Sequence, residues 1–225
     1  DGIAGMKKSL AIFDMDGTLV DSMGYWNRLA DEYLAQRGIP PLSGALKEES
    51  IALTMLGTAR IFMREFGLPG PPEAIRGEIN GLMELHYRAD VELKPGAAAC
   101  LERMRAAGFR MCVASSTAPA LIDLCLRRLG ARDYFEFLLS CEEVGVGKNR
   151  PDVYLEAARR LGGTPENTVI FEDILVAATT AKQAGFPLGV IYDANSDAEQ
   201  PQLKALADCH FTRWDDEALL TWLGV

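Results

Sequence analysis

Two aspartates, a glycine and a threonine directly follow a short apolar segment near the start of the chain. The segment spans residues 10–13, and the polar residues are Asp14, Asp16, Gly17 and Thr18. Four consecutive apolar residues are typical of a buried strand in a parallel sheet, and open α/β sheets bind ligands at the carboxyl ends of such strands. In extended backbone Asp14 and Asp16 share a face, so their charges repel unless a cation lies nearby. Oxygen ligands with no histidine or cysteine close by favour Mg²⁺.

The residues after this pair are suited to binding an anion. Gly17 lets the chain turn close to a bound anion, and Thr18 offers it a hydroxyl and a backbone N–H. A lone pair of aspartates at this spacing is more often a turn that closes a strand. Here the pattern continues into Gly-Thr-Leu-Val-Asp-Ser over residues 17–22, which favours a functional site.

Four further polar residues lie at the ends of apolar segments or in a loop. Ser115 and the pair Glu172 and Asp173 each follow an apolar segment, and Lys148 lies in a glycine-containing loop. Each has an ordinary explanation, because serines and acidic residues cap helices and a loop lysine is usually solvated. Placed at the same edge of a sheet, however, the hydroxyl and the lysine can bind an anion and the acids can bind a cation.

The segments around these residues predict an α/β fold with a parallel sheet covered by helices on both faces, because apolar strands alternate with helical patterns from residue 95 onward. After the first strand, we expect strands at 110–114, 135–140, 169–171 and 188–191, and helices at 97–107, 119–129, 151–161 and after residue 173 as far as 184. Residues 141–150 and the polar residues 194–203 are expected to form loops.

Between residues 22 and 88 the strand signal is replaced by helical patterns. Trp26, Leu29, Tyr33 and Leu34 form one apolar stripe, and further helices are expected at 51–66 and 73–88. We therefore expect an all-helical domain over residues 21–91, inserted into a core domain made of residues 6–20 and 92–225.

The composition excludes several classes of function. The 225 residues carry a net charge of −9, and 48% are hydrophobic and 24% charged. So acidic a chain is not expected to bind nucleic acid or a membrane surface. A small phosphorylated substrate needs only a local positive site, which a metal ion and one lysine can supply.

The cysteines and the first residues bear on localisation. Five scattered cysteines without a Cys-x-x-Cys pair indicate buried free thiols in a reducing cytoplasm. The apolar segment after Lys7 and Lys8 is interrupted by Asp14, so we do not expect a signal peptide. The glycine-rich lead-in indicates Met6 as the natural start.

Taken together, these motifs resemble the four motifs of the haloacid dehalogenase superfamily. They occur in the same order along the chain and together span nearly the whole core domain. Within it, the chain looks similar to subfamily I, whose members carry a helical cap and include β-phosphoglucomutase-like and phosphoglycolate phosphatase-like proteins. The resemblance implies a Rossmann-like core and a cap that closes over the active site. Pro151 and Asp152 after Lys148 fit the third motif. Asn149, where relatives often have proline, and residues 174–178, which lack a common glycine, depart from the pattern.

The resemblance also implies a role for each residue. Asp14 would be the nucleophile that forms an aspartyl-phosphate, and Asp16 the acid and base. Ser115 and Lys148 would bind the transferred phosphoryl group. The implied Mg²⁺ ligands are Asp14, the backbone carbonyl of Asp16, Asp173 and Glu172, and the implied substrate-binding residues are Gly17, Thr18, Ser116 and Arg60.

Three functions compete at this point. Relatives that dehalogenate lack an acid at the position of Asp16, so a Mg²⁺-dependent phosphatase acting on a small phosphorylated metabolite is favoured. The runner-up is a phosphosugar mutase, because Gly57 to Arg60 resembles the G-x-x-R sequence of the mutase cap. Against it, Trp26 stands where mutases have a histidine, and Leu56 where they have a basic residue. A non-catalytic module that binds phosphate and Mg²⁺ is the third.

Overall fold

The computed structural model describes residues 10–51 and 53–225. The expected start at Met6 and residues 6–9 of the expected core domain lie outside that range. Contacts within the described part divide it into two units. One is an α/β unit made of residues 10–22 and 91–225, and the other is a helical unit of residues 23–90.

A six-stranded parallel sheet forms the centre of the α/β unit, which confirms the predicted fold class. Its strands are β1 (Leu10–Phe13), β2 (Arg110–Ser115), β3 (Leu138–Ser140), β4 (Thr168–Glu172), β5 (Leu188–Ile191) and β6 (Cys209–Phe211), in the order β3-β2-β1-β4-β5-β6. Strand β1 is central, with Ile12 paired to Cys112 on one side and to Ile170 on the other. Because parallel strands end at the same edge, the residues that follow β1, β2 and β4 are brought together.

Both faces of the sheet are buried. Leu10 and Ile12 belong to an apolar cluster that includes residues of the helices beside the sheet. Phe13, which points to the opposite face, stacks on Phe171 with ring centroids 4.9 Å apart and lies 5.5 Å from the ring of Trp214. Burial on both faces explains why these strands read as continuous apolar runs.

Helices accompany the sheet on the chain segments between its strands and after the last strand. In the α/β unit they are α5 (Ala97–Ala106), α6 (Pro119–Arg128), α7 (Cys141–Val144), α8 (Asp152–Arg160), α9 (Leu175–Gln183), α10 (Gln200–Leu206) and α11 (Glu217–Leu223). Short 3-10 helices lie at Arg132–Tyr134, Pro165–Asn167 and Ala194–Glu199.

The helical unit contains α1 (Met23–Ala35), α2 (Gly44–Ile51), α3 (Met55–Phe66) and α4 (Pro72–Ala89). The prediction of one helix over residues 51–66 was wrong at its start, and α2 was not predicted. Thr54 is extended and accepts a hydrogen bond from the backbone N–H of Gly57, so it caps α3 and starts a new helix.

Three predictions in the α/β unit were wrong. Residues 194–203 form a 3-10 helix and then α10 instead of a loop, and the Asp193 side chain caps the first of these by accepting from Asn195 N. The predicted loop 141–150 begins with α7, which a capping box between Ser140 and Glu143 stabilises. Strand β3 starts at Leu138, three residues later than predicted, because residues 135–137 are irregular, with a bend at Glu136.

The state of the cysteines agrees largely with the prediction of buried free thiols. All five are free thiols, and four of them are buried, while Cys209 is half-buried.

Among the helices of the described residues, none has both the length and the apolar composition needed to cross a bilayer.

An ionisable cluster joins α1 to α4 in the helical unit. The Nε2 atom of His86 lies 2.8 Å from a carboxylate oxygen of Glu32, and its Nδ1 atom lies 2.7 Å from one of Asp90. Burial disfavours the charged ring, but these two carboxylates outweigh it and raise the pKa of His86. In the α/β unit, burial and the nearby Lys204 lower the pKa of His210. The contributions of the chain's two histidines to stability therefore change with pH in opposite directions.

We expect the two histidines to add two declines to the pH profile of stability, one on the alkaline side of about pH 6.5 from His86 and one on the acidic side from His210, where pH 6.5 is the usual pKa of histidine. The contribution of protonated His86 is fully present below that pH and is lost as the pH rises through its raised folded-state pKa. That of neutral His210 is present above that pH and is lost as the pH falls through its lowered folded-state pKa. The measurement is the thermal unfolding midpoint of wild type, His86→Gln and His210→Gln between about pH 5 and 8.

His86→Gln should flatten only the alkaline side of this profile, and His210→Gln only the acidic side. Each variant is thus the control for the other. An unchanged alkaline decline in His86→Gln would contradict this assignment.

Candidate active site

The loop after β1 is fixed on several sides. The backbone N–H of Asp14 donates to the carbonyl of Phe171 at 3.0 Å, which continues the pairing with β4. Gly17 then turns the chain with φ of 80°, a conformation that favours glycine. The buried indole of Trp214 donates to the backbone carbonyl of Thr18 at 2.9 Å. The residues of this loop are therefore held in one geometry before any ligand binds.

Three carboxylates meet next to this loop. Asp14, Glu172 and Asp173 are all buried, and each offers an oxygen within 4.8 Å of the others. The Thr18 hydroxyl lies 2.9 Å from Oδ2 of Asp14 and 3.1 Å from Oδ1 of Asp173. In the described part of the chain, Oε2 of Glu172 and Oδ2 of Asp173 are buried without a hydrogen-bond partner. Buried acceptors of this kind fit a cation with oxygen ligands.

Lys148 supplies the positive charge of the cluster. Its Nζ atom donates to Oδ1 of Asp14 and to Oε1 of Glu172, at 2.6 Å each. Burial disfavours the ammonium, but the two carboxylates outweigh it and raise the pKa of Lys148. The lysine thus stays charged and is shared between two acids.

The positive charge of Lys148 does not balance the negative charges that three ionised carboxylates would carry. Burial, followed by the charge of Asp14, raises the pKa of Glu172 to about 7. Burial and the charges of Asp14 and Glu172 also raise the pKa of Asp173 well above its usual range. A divalent cation among these oxygens would reverse both effects by favouring the ionised forms. The donor set therefore fits the predicted Mg²⁺.

Asp16 and Ser115 lie at the same edge of the sheet. Ser22 and Thr117 each donate a hydroxyl hydrogen bond to the Asp16 carboxylate, at 2.6 and 2.7 Å. Ser115 is buried at the end of β2, and its Oγ accepts from the backbone N–H of Thr117 at 3.0 Å. Thr117 thus connects the predicted acid and base to the predicted phosphoryl-binding serine.

Two further predicted substrate-binding residues have exposed side chains. Ser116 is exposed, and its hydroxyl lies 3.8 Å from the thiol sulfur of Cys141. Arg60 is exposed on α3 of the helical unit.

Four contacting residues were missing from the sequence interpretation: Ser22, Thr117, Tyr154 and Trp214. Thr117 could have been found, because it ends a run of hydroxyl residues directly after a strand. Tyr154 lies on the buried face of α8 and Trp214 in an aromatic cluster, so their sequence pattern indicates only core. The hydrogen bond that each makes is a product of the tertiary fold.

Comparison with known proteins identifies the family. The model of haloacid dehalogenase-like hydrolases matches residues 8–185. The chain belongs to this hydrolase family. Membership confirms the family and the enzyme class that the sequence predicts.

Similar proteins include two named relatives and one solved structure. The chain is 31% identical to protein CbbY of Cereibacter sphaeroides, over 77% of this chain and 80% of that protein. It is 28% identical to phosphoglycolate phosphatase of Rhodobacter capsulatus, over 80% of this chain and 82% of that protein. The structure of CbbY from Rhodobacter sphaeroides in complex with phosphate matches with a TM-score of 0.78 and 24% identity, over 97% of this chain and 100% of that one.

We expect Mg²⁺ to stabilise the folded chain through the three carboxylates. A free Mg²⁺ concentration about 100 times Kd should raise the unfolding midpoint of the wild type by about 5–10 °C. Asp173→Asn removes one of the repelling charges, so it should unfold at a higher temperature than wild type in EDTA and lose most of the increase caused by Mg²⁺. The measurement is thermal unfolding with and without the ion.

Asp133→Asn is the matched control, because Asp133 is exposed and lies after α6, outside the three-carboxylate cluster. It should respond to Mg²⁺ as the wild type does. An undiminished response of Asp173→Asn would show that the ion binds elsewhere.

Proposed function

We propose that the chain is a Mg²⁺-dependent phosphatase that hydrolyses small phosphate monoesters through an aspartyl-phosphate on Asp14. The observation that carries the proposal is the contact of Lys148 Nζ with Asp14 Oδ1, at 2.6 Å, inside a buried group of three carboxylates. A buried carboxylate beside a charged lysine and a cation site is arranged to accept a dianionic phosphoryl group.

The comparisons support the reaction class. A relative named as a phosphatase aligns with four-fifths of this chain, and a structure of similar fold holds phosphate. The net charge of −9 favours a small substrate bound at a local positive site. We further propose that the helical unit is a cap that selects the substrate and contributes Arg60 to its binding.

In this proposal Mg²⁺ is held by the carboxylates of Asp14 and Asp173, the backbone carbonyl of Asp16, and Glu172. When bound, the ion would reduce the repulsion between the Asp14 carboxylate and the phosphate and offset charge on the phosphoryl oxygens. The two buried oxygens without a described partner, on Glu172 and Asp173, support this ligand set.

The first step transfers the phosphoryl group to the protein. A carboxylate oxygen of Asp14 forms a bond to phosphorus, and the bond from phosphorus to the ester oxygen breaks. Asp16, protonated at this stage, gives its proton to the leaving oxygen. Lys148 and Ser115 donate to the phosphoryl oxygens, with Thr18 and Ser116 beside them.

The second step releases phosphate. Asp16, now ionised, takes a proton from a water molecule as that water attacks phosphorus, and the bond from phosphorus to Asp14 breaks. The products are inorganic phosphate and the regenerated carboxylate. The hydroxyls of Ser22 and Thr117 stabilise the ionised form of Asp16, which is the form needed for this step.

The test is phosphate release from a panel of small phosphate esters, in Mg²⁺ and in EDTA. We expect release that EDTA abolishes and that Asp14→Asn lowers by more than about 10⁴-fold, because the nucleophile is lost. Asp16→Asn should lower it by about 10²–10⁴-fold, because proton transfer is lost. Asp133→Asn serves as the control and should retain wild-type rates.

Product analysis separates this proposal from its competitors. Hydrolysis yields free phosphate from every accepted ester, whereas a mutase would convert one sugar phosphate into its isomer. The mutase hypothesis is also disfavoured by Trp26, which stands where mutases have a histidine and donates its indole N–H to the Tyr87 hydroxyl at 3.1 Å. Isomerisation without phosphate release, or turnover that persists in Asp14→Asn, would contradict the proposal.

A further inference from the structure

Tyr154 is a buried residue with a polar group aimed at the cluster. It lies in the first turn of α8 and is fully buried, with its ring centroid 6.3 Å from that of Phe186. Phenylalanine would fill the same apolar space, so packing alone does not require the hydroxyl. A buried hydroxyl is costly unless it is hydrogen-bonded, and this one donates to Oε1 of Glu172 at 2.5 Å.

This contact extends the cluster into a line of four side chains. Oε1 of Glu172 accepts from the Tyr154 hydroxyl and also from Nζ of Lys148, at 2.6 Å. The same Nζ atom donates to Oδ1 of Asp14 at 2.6 Å. Because both donors hold one oxygen of Glu172, the orientation of the carboxylate is fixed and its other oxygen is left without a partner among the described residues.

We propose that Tyr154 is a positioning residue for the phosphoryl-transfer site, which holds Glu172 so that its second oxygen faces the cation and Lys148 remains shared with Asp14. The inference rests on the proposed function. Without the phenol, Lys148 would be the remaining donor to Oε1 of a fully buried carboxylate. It would be drawn from Asp14 toward Glu172, and Glu172 would be free to rotate.

The test compares Tyr154→Phe with wild type in two measurements. Titration calorimetry with Mg²⁺ alone reads the cation site without any turnover, and steady-state kinetics on the preferred ester read the reaction. We expect the Kd for Mg²⁺ to rise about tenfold and kcat to fall about tenfold, in line with the usual effect of removing a partner of a metal ligand. KM for the ester should change by less than about threefold, because Tyr154 does not contact substrate.

Two control variants separate positioning from general stability. Tyr134→Phe removes a phenol that donates to exposed Glu102 at 2.8 Å, and it should leave both measurements unchanged. Val153→Ala shortens a fully buried side chain next to Tyr154 on α8. It should lower the unfolding midpoint at least as much as Tyr154→Phe does and leave the Kd for Mg²⁺ unchanged.

Wild-type Mg²⁺ affinity and kcat in Tyr154→Phe would overturn the inference while leaving the proposed function intact. An equal loss of Mg²⁺ affinity in Val153→Ala would also overturn it, because the effect would then come from helix stability. If wild type neither binds Mg²⁺ nor releases phosphate from any ester, the proposed function fails and the inference fails with it.

Discussion

Repulsion among the buried carboxylates of Asp14, Glu172 and Asp173 is the constraint on which the rest of the site depends. The three acids offer oxygens within 4.8 Å of one another, and the lysine beside them contacts only Asp14 and Glu172 among them. Buried charges are costly unless they are paired. The chain holds them together with contacts from outside the cluster, namely the Thr18 hydroxyl and the Tyr154 phenol. Such an arrangement weakens the folded state unless a cation completes it, which is why the site is suited to binding a metal ion.

The fold supplies the rigidity that this arrangement needs. Strand β1 is central in the sheet and is hydrogen-bonded on both sides, so the residue after it cannot shift without breaking the pairing with β4. Beneath the site, the rings of Phe13, Phe171 and Trp214 pack together, and Trp214 also bonds the Thr18 carbonyl. The stabilisation from apolar packing on one side of the loop thus offsets the repulsion among the carboxylates on the other.

The sequence predicts the parts of this structure that depend on local pattern. Runs such as residues 10–13 mark strands buried on both faces, and the polar residues that follow them mark the edge of the sheet where a site can form. It did not predict β6, whose three residues include the polar His210, nor α11 after it. It also did not predict that Tyr154 bonds Glu172, because a buried tyrosine on a helix has the same apolar pattern whether or not its hydroxyl reaches an acid.

A crystal structure of the chain with Mg²⁺ and beryllium fluoride, an analogue of a transferred phosphoryl group, tests the central claim most directly. The account predicts beryllium bonded to a carboxylate oxygen of Asp14, with Lys148 donating to a fluoride and the ion held by Asp14 and Asp173. Beryllium fluoride bonded to another side chain, or an ion bound away from these carboxylates, would contradict it.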